Sequence, residues 1–242
     1  MKWIVTLLLG QLFLFLFPTF GRATTYEVYG TSGSDTFTLA LFGTIFVTRN
    51  GVLELNLDSS KCDSSANTVI KLYGFDGADD FTVSIPDSCD ISCKVYGGSG
   101  GDVFDVVGCD GIALYGDDGK DKFYLGSSSN YFNGEAYGGN QNDEFHDYFL
   151  QYAYLSGGNG NDAFSGNIRD YALIYGGESE DYFFGGPSET EGQGVYVTND
   201  DTGPYSGDEF YYGHFDTIYC DSTDQVFGLA VVHGNVFGDC IN

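Results

Sequence analysis

From Tyr29 onward, apolar and polar residues alternate in short runs, and clusters of glycine and aspartate interrupt them roughly every 20 residues. The runs ahead of these clusters end on an apolar residue and then tyrosine: Val28-Tyr29, Leu72-Tyr73, Val95-Tyr96, Leu114-Tyr115 and Ile174-Tyr175. A period of two belongs to β-strands, whose side chains point alternately to opposite faces. Beyond the N-terminal apolar stretch no helical apolar period is sustained, so the pattern predicts strands and no long helix.

The interruptions align without gaps. Seven segments superpose: YGTSGSDTF (from Tyr29), YGFDGADDF (Tyr73), YGGSGGDVF (Tyr96), YGDDGKDKF (Tyr115), YGGNQNDEF (Tyr137), SGGNGNDAF (Ser156) and YGGESEDYF (Tyr175). A weaker eighth, GPYSGDEF from Gly203, keeps Asp208 and Phe210. The opening glycines at 30, 74, 97, 116, 138, 157 and 176 are 44, 23, 19, 22, 19 and 19 residues apart, the first step being two repeat lengths. A unit this small buries its apolar face only by stacking on its neighbours. The expectation is an all-β parallel solenoid of about 20-residue rungs, each a strand, a turn, a strand and a looser return.

Each aligned column has a physical reading. The opening glycine supplies either a positive φ or the close approach of a tight turn. An aspartate closes every segment (Asp35, Asp79, Asp102, Asp121, Asp143, Asp162, Asp181), and phenylalanine follows two residues later (Phe37, Phe81, Phe104, Phe123, Phe145, Phe164, Phe183). We place the aspartate in the turn and the phenylalanine as the first inward strand residue, so that stacking makes an aromatic ladder. Tyr29, Tyr73, Tyr96, Tyr115, Tyr137 and Tyr175 follow inward apolar residues and are expected to face outward and stack. Between the first two repeats, Thr48-Arg49-Asn50-Gly51 separates two β-rich runs, and Asn-Gly in that setting signals a hairpin. Residues 24–72 then form an N-terminal cap and first repeat, 73–185 the repeats proper, and 186–242 a degenerate repeat with a C-terminal β cap.

The segments resemble the calcium-binding nonapeptide of the RTX (repeats-in-toxin, hemolysin-type) family, G-G-x-G-x-D-x-U-x with U a large apolar residue. Gly97 to Phe104 and Gly157 to Phe164 match it in full. The resemblance implies a right-handed parallel β-roll with calcium held between neighbouring turns. Its ligands would be the carboxylates of Asp79, Asp102, Asp121, Asp143, Asp162 and Asp181. Turn carbonyls at Gly74, Gly77, Gly97, Gly100, Gly116, Gly119, Gly138, Gly157, Gly160 and Gly176 would complete them. Calcium takes six to eight hard oxygen ligands, which such turns supply. Extra acids at Asp76, Asp117, Asp118, Glu178 and Glu180 raise the local field. With one such turn per rung, a single calcium column is expected. Thr31, Phe75 and Asp117 replace the second glycine, while Gln141 and Ser179 replace a later one, which matters if that position needs φ > 0. The rung next to Asp35 has no matching turn, which weakens the case for a site there.

Charge narrows the partners. The chain has 35 acidic and 9 basic residues, a net charge of −26. Lys2, the apolar run from Ile4 to Phe17 and Gly21-Arg22-Ala23 read as a signal peptide over residues 1–23, cleaved after Ala23. That run is shorter than the ~20 residues of a spanning helix, and no later stretch is longer, so no membrane span is expected. Losing Lys2 and Arg22 takes the charge to −26 − 2 = −28. Such a field excludes nucleic acid and anionic lipid and favours cations. The expected location is extracellular.

The six cysteines, an even number, read as structural disulfides with about 15 possible connectivities, and none has zinc-site spacing. Cys89 and Cys109 lie 8 and 7 residues before their next turns, so they are expected to stack and pair. Cys62–Cys93 and Cys220–Cys240 follow by elimination. His146, His214 and His233 begin no H-E-x-x-H motif, and no nucleophile elbow or P-loop occurs. The best-ordered carboxylates are assigned to turns, so a carboxylate hydrolase is the weak alternative. The expectation is a non-enzymatic, secreted, calcium-binding structural protein. The alternative is a biomineral or matrix protein that meets mineral or glycan through its acidic face and tyrosines.

Overall fold

The computed structural model describes residues 23–127, 130–170, 172–185, 196–198, 209–215, 217–220, 225–232 and 236–238, with side chains for 23–127, 130–147, 150–166 and 172–184. Residues 1–22, which hold all but the last residue of the expected signal peptide, lie outside them. The only helical elements among the described residues are two short 3-10 turns, Ser59–Cys62 and Ser64–Ala66. No helix there is long and apolar enough to cross a membrane, which leaves β-barrel spanning unaddressed.

The chain begins with β1 (Thr24–Tyr29), β2 (Thr36–Phe42), β3 (Thr44–Arg49) and β4 (Val52–Asp58). Paired strands on either side of a turn follow: β5 (Thr68–Asp76) and β6 (Asp80–Ile85), β7 (Ile91–Ser99) and β8 (Val103–Gly108), β9 (Ile112–Asp118) and β10 (Lys122–Leu125). The pattern continues through β11 (Gly134–Asn140) and β12 (Glu144–Gln151), β13 (Tyr154–Asn159) and β14 (Ala163–Asp170), β15 (Leu173–Glu178) and β16 (Tyr182–Gly185). Then come β17 (Tyr196–Thr198), β18 (Glu209–Phe215), β19 (Thr217–Cys220), β20 (Gln225–Val232) and β21 (Val236–Gly238). Strands before the turns form one sheet, β1-β5-β7-β9-β11-β13-β15-β17-β19-β21. Strands after the turns form the other, β20-β18-β16-β14-β12-β10-β8-β6-β2-β3-β4. Pairing is antiparallel within β2-β3-β4 and parallel elsewhere among these strands. The fold is therefore a two-sheet parallel β-solenoid, and the C-terminal β segment enters it as further strands of the same sheets.

The register puts like on like. Phe37, Phe81, Phe104, Phe123, Phe145, Phe164 and Phe183 occupy one row across the second sheet, and the backbone register carries on to Phe210. Consecutive rings from Phe37 to Phe183 stack with centroids 4.6–5.2 Å apart and planes within 13°. All seven are buried, and Ile70, Leu72, Val95, Leu114, Leu155 and Ile174 join them in the core from the opposite sheet.

The hairpin forms where Asn-Gly predicted it. Asn50 and Gly51 both have positive φ, 52° and 75°, as a two-residue connection requires. Ile45 and Val47 of β3 are buried in the core, with Leu55 and Leu57 of β4 packed against it. At this end the second sheet thus extends two strands past β2, the strand across the turn from β1, and carries apolar side chains over the end of the core.

The expected tyrosine column is present on the outer face of the first sheet. Tyr29, Tyr73, Tyr96, Tyr115 and Tyr137 stack at 4.8–5.2 Å with planes within 17°. At the rung where Ser156 replaces tyrosine, Tyr154 steps in from two residues earlier. It joins Tyr137 and Tyr175 at 5.4 and 5.3 Å with rings tilted by 43° and 44°.

The disulfides correct the predicted pairing. Cys62 bonds Cys89 and Cys93 bonds Cys109, in place of Cys89–Cys109 and Cys62–Cys93. Counting back from the turn fails because the residues lie in returns of unequal length. Cys89 closes a local turn on Pro86, and the adjacent Asp90 donates to the Cys62 carbonyl, which brings Cys62 alongside. Cys93 instead faces inward from β7 and meets Cys109 at the exit of β8. The expected Cys220–Cys240 pair lies outside the residues whose side chains are described.

Phe123 is fully buried, with Phe104 and Phe145 each 4.6 Å from its ring. Phe123→Ala is expected to lower unfolding free energy by about 3–5 kcal/mol in a denaturant titration.

Candidate cation column along the aspartate turns

Each turn aspartate sits just before the strand that carries its phenylalanine, and both side chains point inward. The seven aspartates from Asp35 to Asp181 are at most 2% exposed. Two kinds of hydrogen bond tie each to the next rung. The backbone N–H of Asp35, Asp79, Asp102, Asp121, Asp143 and Asp162 donates to Oδ1 of the following aspartate at 2.6–2.8 Å. The carbonyl of the same residue accepts, at 2.8–2.9 Å, from the N–H just beyond that following aspartate. One carboxylate oxygen therefore serves as a rung-to-rung acceptor.

The other oxygen has no such use. Oδ2 of Asp79, Asp102, Asp121, Asp143 and Asp162 is buried and accepts no hydrogen bond. It rests against the opening glycine of its own turn, where a Cβ on Gly74, Gly97, Gly116, Gly138 or Gly157 would collide with it. The same point is approached by the carbonyl oxygen of the next opening glycine: Gly97, Gly116, Gly138, Gly157 and Gly176 in order. The strand register passes over these glycines at every step, as from Tyr73↔Tyr96 to Phe75↔Gly98. So the opening glycine is required for close approach, and none of these five has a positive φ.

The left-handed conformation falls at the second and fourth turn positions instead. Four of the five residues that depart from the nonapeptide adopt it, Phe75 (φ 80°), Asp117 (70°), Gln141 (77°) and Ser179 (97°), while Thr31 in the first turn does not. The turn geometry survives all four departures, at the strain a side chain bears in that region.

Burial of these carboxylates, whose second oxygen has no donor, sets their electrostatics. Burial pushes Asp102 up to about 7, Asp121 to about 6, Asp143 to about 8 and Asp162 to about 7, against the donated backbone hydrogen bonds. Neighbouring acids add to the push on Asp102, Asp121 and Asp143. Asp79 is raised for the same first reason.

Asp35 is the exception that defines the end of the column. Its Oδ2 accepts from the Thr31 N–H at 2.6 Å and the Thr31 hydroxyl at 2.9 Å, while its Oδ1 accepts from the Asn50 side-chain amide. Burial opposes ionisation, but these donors, with Arg49 nearby, hold its carboxyl below the usual range. Asn50 thus stands in for the missing preceding rung, and its Oδ1 accepts from Thr36 N–H as well.

A proton or a cation is what a buried carboxylate oxygen without a hydrogen-bond donor calls for. The oxygen-only donor set fits a hard divalent cation, calcium above all. Among the described residues no three His, Cys, Asp or Glu side chains are gathered as a metal cluster, so an ion would draw much of its shell from backbone carbonyls. A hollow of about 410 Å³ beside the turns is lined by Asp121, Asp143, Lys120, Lys122, Asn142 and Glu144.

The sequence-predicted aspartates and glycines are thus brought together. Asp35 stacks directly on Asp79 where a rung without a turn was expected between them, because the extra length of the first step goes into the β3–β4 hairpin. Asn50 was read only as a turn residue, and Asp147 was not singled out. Asp147 lies inward on β12 in register with Leu125 and Gly166, is raised to about 7 by burial, and has an unpartnered Oδ2. The period of two from Phe145 to Asp147 was the available signal.

Gly138→Ala is expected to lower stability by about 1–3 kcal/mol, since its methyl meets the Asp143 carboxylate and the Gly157 carbonyl. Gly33→Ala, with open space at Cβ, is expected to change it by less than about 0.5 kcal/mol, and thermal melts compare the two.

The pH dependence without divalent cations also follows. A carboxyl whose folded value exceeds its unfolded one binds more protons in the native state. Stability is then full below the unfolded value of 3.8 and falls as pH rises through the folded values of about 6 to 8. Melts in chelator between pH 4 and 8 are expected to show this decline, with the column titrating as a coupled set.

No family model, curated protein or solved structure matches this chain, and the site rests on its own residues.

Proposed function

We propose that this chain is a secreted, acidic structural protein whose turn column binds calcium, the ion taking over the neutralisation that protons otherwise provide. The observation that carries the reading is the row of buried aspartate Oδ2 atoms without a hydrogen-bond partner, one per rung, each lying beside the opening glycine of its turn. Asp79, Asp102, Asp121, Asp143 and Asp162 would hold the ions with carbonyls of the neighbouring turns, while Asp35 has its donors already. Calcium bound there supplies positive charge to buried carboxylates and couples successive rungs. Ligation of the folded state alone stabilises it by mass action.

Secretion is supported by the two disulfides, which persist in oxidising compartments, and by the charged, apolar and small-residue order of the first 23 residues. The reading is of a scaffold, because the recurring turn carboxylates are buried and tied from rung to rung by backbone hydrogen bonds. Glycan stacking on the tyrosine column has less support, because face-to-face contact between rings occupies the surfaces a sugar would need.

Calcium titrated from chelator into the disulfide-intact chain is expected to raise β circular dichroism and melting temperature, with half-saturation in the ~10⁻⁴ to 10⁻³ M range of extracellular modules. Magnesium is expected to do neither, and Asp102→Ala to lower the calorimetric stoichiometry. An unchanged melt with no binding heat would sink the proposal and leave protons as the column's counter-charge.

A further inference from the structure

The tyrosine face carries a feature that the calcium reading does not use. Tyr29 ends the stacked column and is 49% exposed, whereas Tyr73, Tyr96, Tyr115 and Tyr137 are half-buried. It lies on β1, the edge strand of its sheet among the described strands. Tyr73 covers one face of its ring at 5.2 Å, and Phe75 stands alongside at 6.1 Å. The stacking axis runs along the solenoid, so the ring edge with the hydroxyl and its two ortho carbons points away from the sheet.

The hydroxyl has a base in contact. Tyr29 Oη donates to Glu27 Oε2 at 2.5 Å, and the other oxygen, Oε1, accepts from Lys71 Nζ at 3.2 Å. Lys71 thereby positions the carboxylate with one oxygen turned to the phenol. The hydrogen bond lowers Glu27 and raises Tyr29 from their ordinary values, so the ground state is a protonated phenol beside an ionised acceptor. A phenol yields its electron readily only when its proton leaves at the same time, and Glu27 stands ready to take it.

We propose that Tyr29 is a site of oxidative phenol coupling that joins two copies of this chain through a dityrosine bond. An extracellular one-electron oxidant of the peroxidase class removes one electron from each of two Tyr29 rings, and each phenolic proton passes to Glu27. The two neutral radicals form one carbon–carbon bond between ortho positions, and each ortho hydrogen then moves to its own oxygen as aromaticity returns. The net loss is two electrons and two protons. The stacked column aids the step, since a vacancy formed at Tyr73, Tyr96, Tyr115 or Tyr137 has a neighbouring ring within 4.8–5.2 Å through which to reach the exposed end. A net charge of −26 on each copy opposes their encounter, so coupling should speed up as salt screens it.

The test treats the full chain, disulfides intact and with chelator present, with a heme peroxidase and hydrogen peroxide. Reducing, denaturing gels, dityrosine fluorescence and peptide mapping read the product. The expected result is a covalent dimer joined Tyr29 to Tyr29, with yield rising with salt. Tyr29→Phe, which keeps the stack, should cut dimer at least fivefold, and Glu27→Gln should slow it several-fold while the bond stays at Tyr29. Undiminished dimer in Tyr29→Phe, or a bond mapped to Tyr152, which is 60% exposed but outside this column, overturns the proposal. A repeat in millimolar calcium is expected to give the same Tyr29 bond, and its absence from both runs overturns the proposal whether or not calcium binds the turns.

Discussion

The hydrogen bond from one turn aspartate's N–H to the next one's Oδ1 is the contact on which the molecule is built. It recurs from Asp35 to Asp181 at nearly constant length and engages the side chain where a plain strand would use its carbonyl. A carboxylate held this way must lie between rungs and face inward. Its second oxygen is then confined against the opening glycine of its own turn, and any Cβ there is excluded. The aspartate also sits immediately before the strand, two residues ahead of the phenylalanine, so fixing one row fixes the other. Rung spacing, glycine placement and the aromatic ladder all descend from the same contact.

That arrangement carries an electrostatic cost. Carboxylates stacked on successive rungs cannot all remain ionised in a buried row without a counter-charge, and their raised pKa values express this. The phenylalanine ladder beside them supplies the offsetting term, with seven buried rings in contact. The column closes at the hairpin, where Asn50 replaces the preceding rung's N–H on Oδ1 of Asp35 and Thr31 gives Oδ2 the donors that the interior rungs lack. Asp35 has donors on both carboxylate oxygens, whereas Asp79, Asp102, Asp121, Asp143 and Asp162 have one on Oδ1 alone.

The inner and outer rows of each turn do different work. Phenylalanine and aspartate face inward and govern cohesion and charge, while tyrosine faces outward from the strand before the turn. Stacking on the outer row leaves hydroxyls and ring edges as the accessible chemistry. At the rung with Ser156, the column survives by borrowing Tyr154 from two residues earlier, which the period of two makes possible on the same face.

The primary structure by itself determined the solenoid, the phenylalanine and aspartate rows, the outward tyrosines and the Asn-Gly hairpin. Each is a consequence of a period of two or of a fixed offset within a turn, and such offsets survive stacking. The disulfide pairing did not follow from the sequence, because Cys62, Cys89 and Cys109 lie in returns whose lengths vary from rung to rung, and counting residues there does not measure distance. Nor did the positive φ of Phe75, Asp117, Gln141 and Ser179: neighbouring turns above and below hold those positions, and the residues comply. Only the tertiary structure showed that the opening glycine makes room for a carboxylate oxygen, that Asn50 ends the column, and that Asp147 is buried without a partner for Oδ2. These depend on which atoms meet across rungs, and a linear pattern records which residues recur but not how their side chains divide their hydrogen bonds.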